Sequence, residues 1–178
     1  LLLHWLKTNN EFKAAVAYLE EPVEDAALSF IAMANEVPTY EFEENLIKNQ
    51  HLHDKYYDLY IKSERVKFLD ASFMKLDGDD LIYHLNWFAE VGKYPVIVLD
   101  HISMITYDTL GAQSERKDID ILMKRLRQLA HKTKATFFVV CHLKRATQGI
   151  SWDQGREITM ADGRGSGAYE QLCDVMIG

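Results

Sequence analysis

Three side chains able to do acid–base or metal chemistry stand directly behind apolar runs: Glu20 behind Lys13–Leu19, Asp100 behind Val96–Leu99, and His142 behind Thr136–Cys141. A carboxylate can orient or deprotonate an attacking water. A second carboxylate can hold a hydrated Mg²⁺ over a nucleotide phosphate, and a histidine can hydrogen-bond a γ-phosphate and register its loss. The run Val96-Ile-Val-Leu99, preceded by Pro95, is the clearest; it suits a strand buried on both faces of a parallel sheet. Open α/β sheets bind ligands at the carboxyl ends of their strands. If the strands are parallel neighbours, the three side chains converge on one edge. Each residue alone has a plainer reading: Glu20 and Glu21 charging a helix N-terminus, Asp100 capping a loop, His142 hydrogen-bonded at a strand end.

The segment Asp162-Gly-Arg-Gly-Ser-Gly-Ala-Tyr-Glu-Gln-Leu-Cys-Asp174 is the second signal. Gly163, Gly165 and Gly167 let the backbone approach a ligand closely and tolerate positive φ. Arg164 lies among them, and the amides from Gly165 to Ala168 lead into a helix start, which suits a phosphate. A plain turn is the simpler alternative. Lys144 and Arg145 follow the His142 strand, either as a solvated basic pair or to track a nucleic-acid backbone. His51, His53 and Asp54 have no supporting ligand in sequence and read as surface residues of a polar helix. Tyr56, Tyr57 and Tyr60 read as packing residues in preference to base-stacking ones.

The elements that must position these groups follow the hydrophobic pattern. Leu2, Leu3, Trp5 and Leu6 read as the tail of a helix, and Lys13–Leu19 as a buried strand. A helix opens at Glu20-Glu21-Pro22, with acids at the positive end of its dipole, and runs to about Asn35 before Pro38. Residues 41–62 are polar and aromatic and read as helical, and Val66–Leu69 as a short strand. Asp77, Asp79 or Asp80 caps a helix whose Leu81, Leu85, Phe88 and Val91 form one apolar face. Ser114–His131 is an amphipathic helix with Ile119, Leu122, Leu126 and Leu129 in one stripe. Thr136–Cys141 reads as a further buried strand, followed by a short helix through Gln171 and a final strand at Val175–Ile177. Strands alternating with helices imply an α/β fold with a mainly parallel sheet and right-handed crossovers.

At 178 residues the chain suffices for one domain with a sizeable core. No apolar segment approaches the ~20 residues of a membrane helix. Leu1-Leu2-Leu3 gives way at once to His4, Trp5 and Lys7, unlike a signal peptide, so a cytoplasmic setting without a membrane is expected. Cys141 and Cys173 lie in apolar contexts and read as buried small hydrophobes, with no disulfide or metal role. A formal net charge of −7 argues against a surface that coats nucleic acid diffusely and leaves room for a local basic site.

Taken in order, Leu19-Glu20-Glu21, Val96–Asp100 with His101, Val140-Cys-His-Leu-Lys144 and Arg164-Gly-Ser-Gly-Ala-Tyr-Glu-Gln171 resemble the successive motifs of the hexameric replicative helicases. The similarity is greatest to the helicase domain of phage primase–helicases, related to the DnaB and Twinkle types, and it spans nearly the whole chain. It implies a RecA-like P-loop NTPase core and a hexameric ring of identical subunits. It also implies 5′-to-3′ movement on single-stranded DNA, driven by ATP or another nucleoside triphosphate with Mg²⁺. Position by position, Glu20 matches the general base that activates the attacking water. Asp100 matches the Walker B aspartate, holding Mg²⁺ through water. His142 matches the γ-phosphate sensor, and Gln171 the glutamine that couples nucleotide state to DNA contact. Lys144 and Arg145 match the start of the central DNA-binding loop, while Arg164, Gly165 and Gly167 match residues that touch the DNA backbone. Primase and polymerase are the further partners it suggests, in a phage-encoded protein of a bacterial host.

The chain also departs from that pattern. Where the phage relatives carry further lysines in the DNA loop, Gln148 and Ile150 stand here, so DNA contact is expected to rest on Lys144, Arg145 and Arg164. No Gly-x-x-x-x-Gly-Lys-Ser/Thr occurs. Gly92-Lys93 comes nearest, but Tyr94 follows, Trp87 replaces the first glycine, and the pair precedes a strand. The resemblance puts the P-loop just before Leu1 and the arginine finger past Gly178. Residues 1–178 are thus expected to be a single partial RecA-like helicase domain, truncated at both ends. Such a fragment is not expected to hydrolyse nucleotide alone, because the missing groups are each worth several powers of ten. Two other readings stand beside it. A RecA-type recombinase ATPase shares Glu20 and Asp100 in outline but fits His142-Leu-Lys144 and Arg164-Gly-Ser-Gly poorly. The other is a non-catalytic DNA-binding ring subunit.

Overall fold

The computed structural model describes residues 1–71, 77–105, 114–143, 155, 158–159, 162 and 167–177. Its strands are β1 (Ala14–Tyr18), β2 (Val66–Phe68), β3 (Val96–Asp100) and β4 (Thr136–Val139), all parallel, in the order β2-β1-β3-β4. The helices are α1 (Leu2–Thr8), α2 (Val23–Ala34), α3 (Thr39–Glu44), α4 (Gln50–Tyr56), α5 (Gly78–Glu90), α6 (Ser114–Thr133) and α7 (Ala168–Leu172). A π-helical turn, Tyr57–Lys62, follows α4.

Successive side chains of a strand point to opposite faces, and both faces of this sheet are covered. Ala15, Ala17, Ile97 and Leu99 pack with Leu81, Leu85 and Phe88 of α5, Ile119, Leu122 and Leu126 of α6, and Tyr169 of α7. Val16, Tyr18 and Val98 pack on the opposite side with Leu6 of α1, Phe30 of α2 and Tyr60 of the π-helical turn. This three-layer arrangement explains why β1 and β3 read as unbroken apolar runs: neither central strand has a wet face. Beyond α2, Phe42 of α3 and Leu52 of α4 close a third cluster against Ile31.

Local chemistry sets the element ends. The Asp77 carboxylate accepts the N–H groups of Asp79 and Asp80 at 3.0 and 2.9 Å, capping α5. Pro22 is the N-cap of α2, with Glu24 and Asp25 in the first turn. Buried Arg65, just before β2, donates to the carbonyls of Leu6 and Asn9 at 2.6 and 2.7 Å, and so pins the end of α1 to the sheet.

Several expectations need correction. Val91 lies outside the apolar face of α5, because the helix ends at Glu90 and leaves Val91 exposed as its C-cap. β4 is half-buried and ends at Val139, short of Cys141: it is the edge strand of the described sheet. Cys141 and Cys173 are free thiols, half-buried instead of fully buried. Val175–Ile177 forms no strand, and Val175 and Ile177 are exposed. Tyr60 is a core residue as expected, but Tyr57 is largely exposed and stacks on His53. The Gly92-Lys93 pair makes the tight turn into β3: a Cβ at Gly92 would lie 2.6 Å from the Tyr94 ring, and Lys93 has φ +55°. Among the described residues, no helix is long and apolar enough to cross a membrane.

Candidate functional site

The strand register brings the three sequence-derived side chains to one edge. Tyr18 lies opposite Asp100, and the Leu19 N–H donates to the Asp100 carbonyl at 2.8 Å. On the other flank of β3, the Val140 N–H donates to the Leu99 carbonyl at 2.9 Å, and the Ile102 N–H to the Val140 carbonyl at 3.2 Å. Pairing thus continues past the strands, where the chain turns out into Glu20, His101 and His142.

These three residues form the centre of the site. Glu20 Oε1 and His101 Nε2 are 2.5 Å apart, and the His101 ring meets the His142 ring edge-on with centroids 4.1 Å apart. The possible ligand atoms of Glu20, His101 and His142 all lie within 4.8 Å of one another. The His101 side chain is only 6% exposed, whereas that of Glu20 is 57% exposed. A buried imidazole therefore anchors an open carboxylate and supports the exposed His142 beside it.

Asp100 is half-buried at the end of β3, joined to His101 by a cis peptide bond. Burial, followed by the negative charges of Asp100 and Glu21, pushes the Tyr18 hydroxyl above its ordinary pKa. Among the described residues, no hydrogen bond or ion pair engages the Asp100 carboxylate. Its oxygens are hard donors of the kind a hydrated Mg²⁺ accepts, so the residue fits the role expected of it.

Gln171 is exposed on α7, which Ala168 and Tyr169 anchor in the core. Arg127 of α6 holds the end of that helix, with Nη1 2.5 Å from Asp174 Oδ1 and 3.4 Å from the Leu172 carbonyl. The Arg127 hydrogen bond keeps the Asp174 carboxyl below the usual range. Burial, and then Cys173 nearby, push the Cys141 thiol up. Gly167 is the N-cap of α7 with φ −74°, and an added Cβ there would meet nothing within 4 Å. Its backbone conformation is ordinary, not the positive φ a glycine allows, so nothing in the described fold requires the missing side chain. Lys144, Arg145, Arg164 and Gly165 lie outside the described residues. His53 Nδ1 lies 3.2 Å from its sequence neighbour Asp54, and the metal-competent cluster among the described residues does not include it.

His101 is the site residue that sequence reasoning missed as a functional group. The one trace in the sequence was its place directly after Asp100; the pairing that brings it to Glu20 comes from the β1–β3 register.

Comparison with known proteins agrees with this architecture. The profile of the family described as DnaB-like helicase C terminal domain matches residues 2–177. A DNA helicase/primase of Enterobacteria phage T3 is 34% identical over 167 residues, covering 93% of this chain and 29% of that protein. A solved structure of a DnaB-like replicative helicase, described with its interactions with primase, superposes with a TM-score of 0.70 at 14% identity, over 93% of this chain and 39% of that one. The chain therefore spans less than two fifths of either protein. With a parallel sheet of the RecA-like kind, and with the family profile matched almost end to end, this chain belongs to the DnaB-like helicase C-terminal domain family.

Proposed function

We propose that the chain belongs to the nucleotide-hydrolysing motor of a replicative DNA helicase, which works intracellularly as a hexameric ring on single-stranded DNA. The meeting of Glu20, His101 and His142 beside Asp100, in a chain of this family, is the observation that carries the reading. ATP or another nucleoside triphosphate is the fuel. Bound Mg²⁺ would neutralise charge on the transferred phosphate. Asp100 would hold the ion, and the open carboxylate of Glu20 accepts the proton of the attacking water. His142 donates a hydrogen bond to the γ-phosphate and loses that partner on hydrolysis. Gln171, exposed on α7, passes the change to DNA. Lys144, Arg145, Arg164, Gly165 and Gly167 contact the DNA backbone, and primase and polymerase are the partners of the whole protein. Family membership favours this motor over a recombinase ATPase.

The test is Mg²⁺-dependent, DNA-stimulated hydrolysis by the full-length protein and its Asp100→Asn variant. A metal carboxylate supplies several kcal/mol to the transition state, so the variant should lose about a hundredfold or more of the rate. Undiminished turnover would remove Asp100 from the site. A wild-type protein that hydrolyses nothing would mark the chain as a non-catalytic ring subunit.

A further inference from the structure

We propose that Glu20, His101 and His142 also form a site for a borderline transition-metal ion of the zinc class, and that filling it arrests hydrolysis. The arrest rests on the function proposed above; the binding does not.

Two imidazoles and a carboxylate, one from the end of each of three adjacent strands, have their ligand atoms within 4.8 Å of one another. Zn–N and Zn–O bonds of about 2.0–2.2 Å in a tetrahedral site place ligand atoms roughly 3.3–3.5 Å apart. Glu20 Oε1 must then move out from its 2.5 Å contact with His101 Nε2 by about 1 Å, and the wider separations must close. The exposed residues, Glu20 and His142, can make that adjustment around the buried His101. Three protein ligands leave a fourth position for water, as in other open zinc sites.

The donor set selects the metal. Mg²⁺ takes oxygen ligands, whereas imidazole suits Zn²⁺, Co²⁺ and Ni²⁺. Asp100, the carboxylate proposed to hold Mg²⁺, is not among the clustered ligands. An ion held here occupies the carboxylate of Glu20 and the ring of His142, so neither remains available for hydrolysis.

The experiment is a Co²⁺ titration of the full-length protein without nucleotide, read by visible absorption and displaced by Zn²⁺. A tetrahedral Co²⁺ band is expected, with affinity falling about tenfold or more in Glu20→Gln and in His142→Ala. Both positions are exposed, so the test survives if the buried His101→Gln variant fails to fold. His53→Ala, at the unrelated His53–Asp54 contact, should bind as the wild type does. Zn²⁺ should stop hydrolysis at saturating Mg²⁺, and a zinc-selective chelator should restore it. A cobalt band unchanged in both Glu20→Gln and His142→Ala overturns the site, even if Glu20→Gln has lost hydrolysis and so keeps its role as the base. A band lost in both variants, together with hydrolysis insensitive to Zn²⁺, overturns the arrest alone.

Discussion

Replacing His101 tests whether the buried imidazole positions Glu20, the proposed general base. Its Nε2 stands 2.5 Å from Glu20 Oε1, and its side chain is almost wholly enclosed. A hydrogen bond to a charged group contributes about 1.5–3 kcal/mol. If that energy goes into orienting Glu20 for water attack, His101→Ala lowers kcat roughly 10- to 150-fold. KM should hardly change, because His101 bonds to the carboxylate and not to the phosphates. His101→Gln keeps an N–H donor near the same place and should recover part of the rate. Steady-state hydrolysis by the full-length protein at saturating single-stranded DNA gives both constants, with thermal unfolding of each variant in parallel. A folded Ala variant with wild-type kcat would refute the reasoning. So would Ala and Gln variants whose rate losses are equal and follow their unfolding temperatures, since that is what a purely structural histidine does.

Two further outcomes concern what holds the site in place. Arg65→Met removes the charged donor from the Leu6 and Asn9 carbonyls and should cost about 3–5 kcal/mol, a fall in Tm of about 6–20 °C by calorimetry; an unchanged Tm would show that α1 is held by its apolar face alone. The pKa of Asp174 is lowered in the fold, first by its hydrogen bond to Arg127. The pair's contribution is therefore present above the ordinary carboxylate range and is lost as pH falls through the depressed value. Urea midpoints between about pH 6 and about pH 3 should fall less steeply in Arg127→Gln than in wild type; parallel curves would rule out this pair as a contributor to acid sensitivity.

The central strands were legible because burial on two faces leaves a plain trace. Ala14–Tyr18 and Val96–Asp100 admit no charged residue before the strand end, so the residue that breaks each run falls at the carboxyl edge of the sheet. The stripe of α6 was legible for an equally local reason, and the cap of α5 was narrowed to Asp77, Asp79 or Asp80, of which the fold uses Asp77. What sequence could not supply was pairing. The apolar pattern of Thr136–Cys141 is compatible with a central strand, yet β4 has a described neighbour on one side only and is half-buried. Val175 and Ile177 carry strand-forming side chains, but they pair with no strand among the described residues and are exposed. His101 was hidden for a related reason: its partner Glu20 is 81 residues away in sequence, and one histidine after an aspartate has no periodicity to reveal it. Only the β1–β3 register brings the two together.

The decisive measurement is made on Glu20→Gln in the full-length protein, assaying nucleotide hydrolysis and nucleotide-dependent binding of single-stranded DNA on the same preparation. Glutamine keeps the size of Glu20 and one acceptor oxygen for His101 but cannot accept the proton of the attacking water. Hydrolysis should be abolished while nucleotide-dependent DNA binding persists. Full turnover in Glu20→Gln would contradict the proposed mechanism and remove Glu20 from the chemistry.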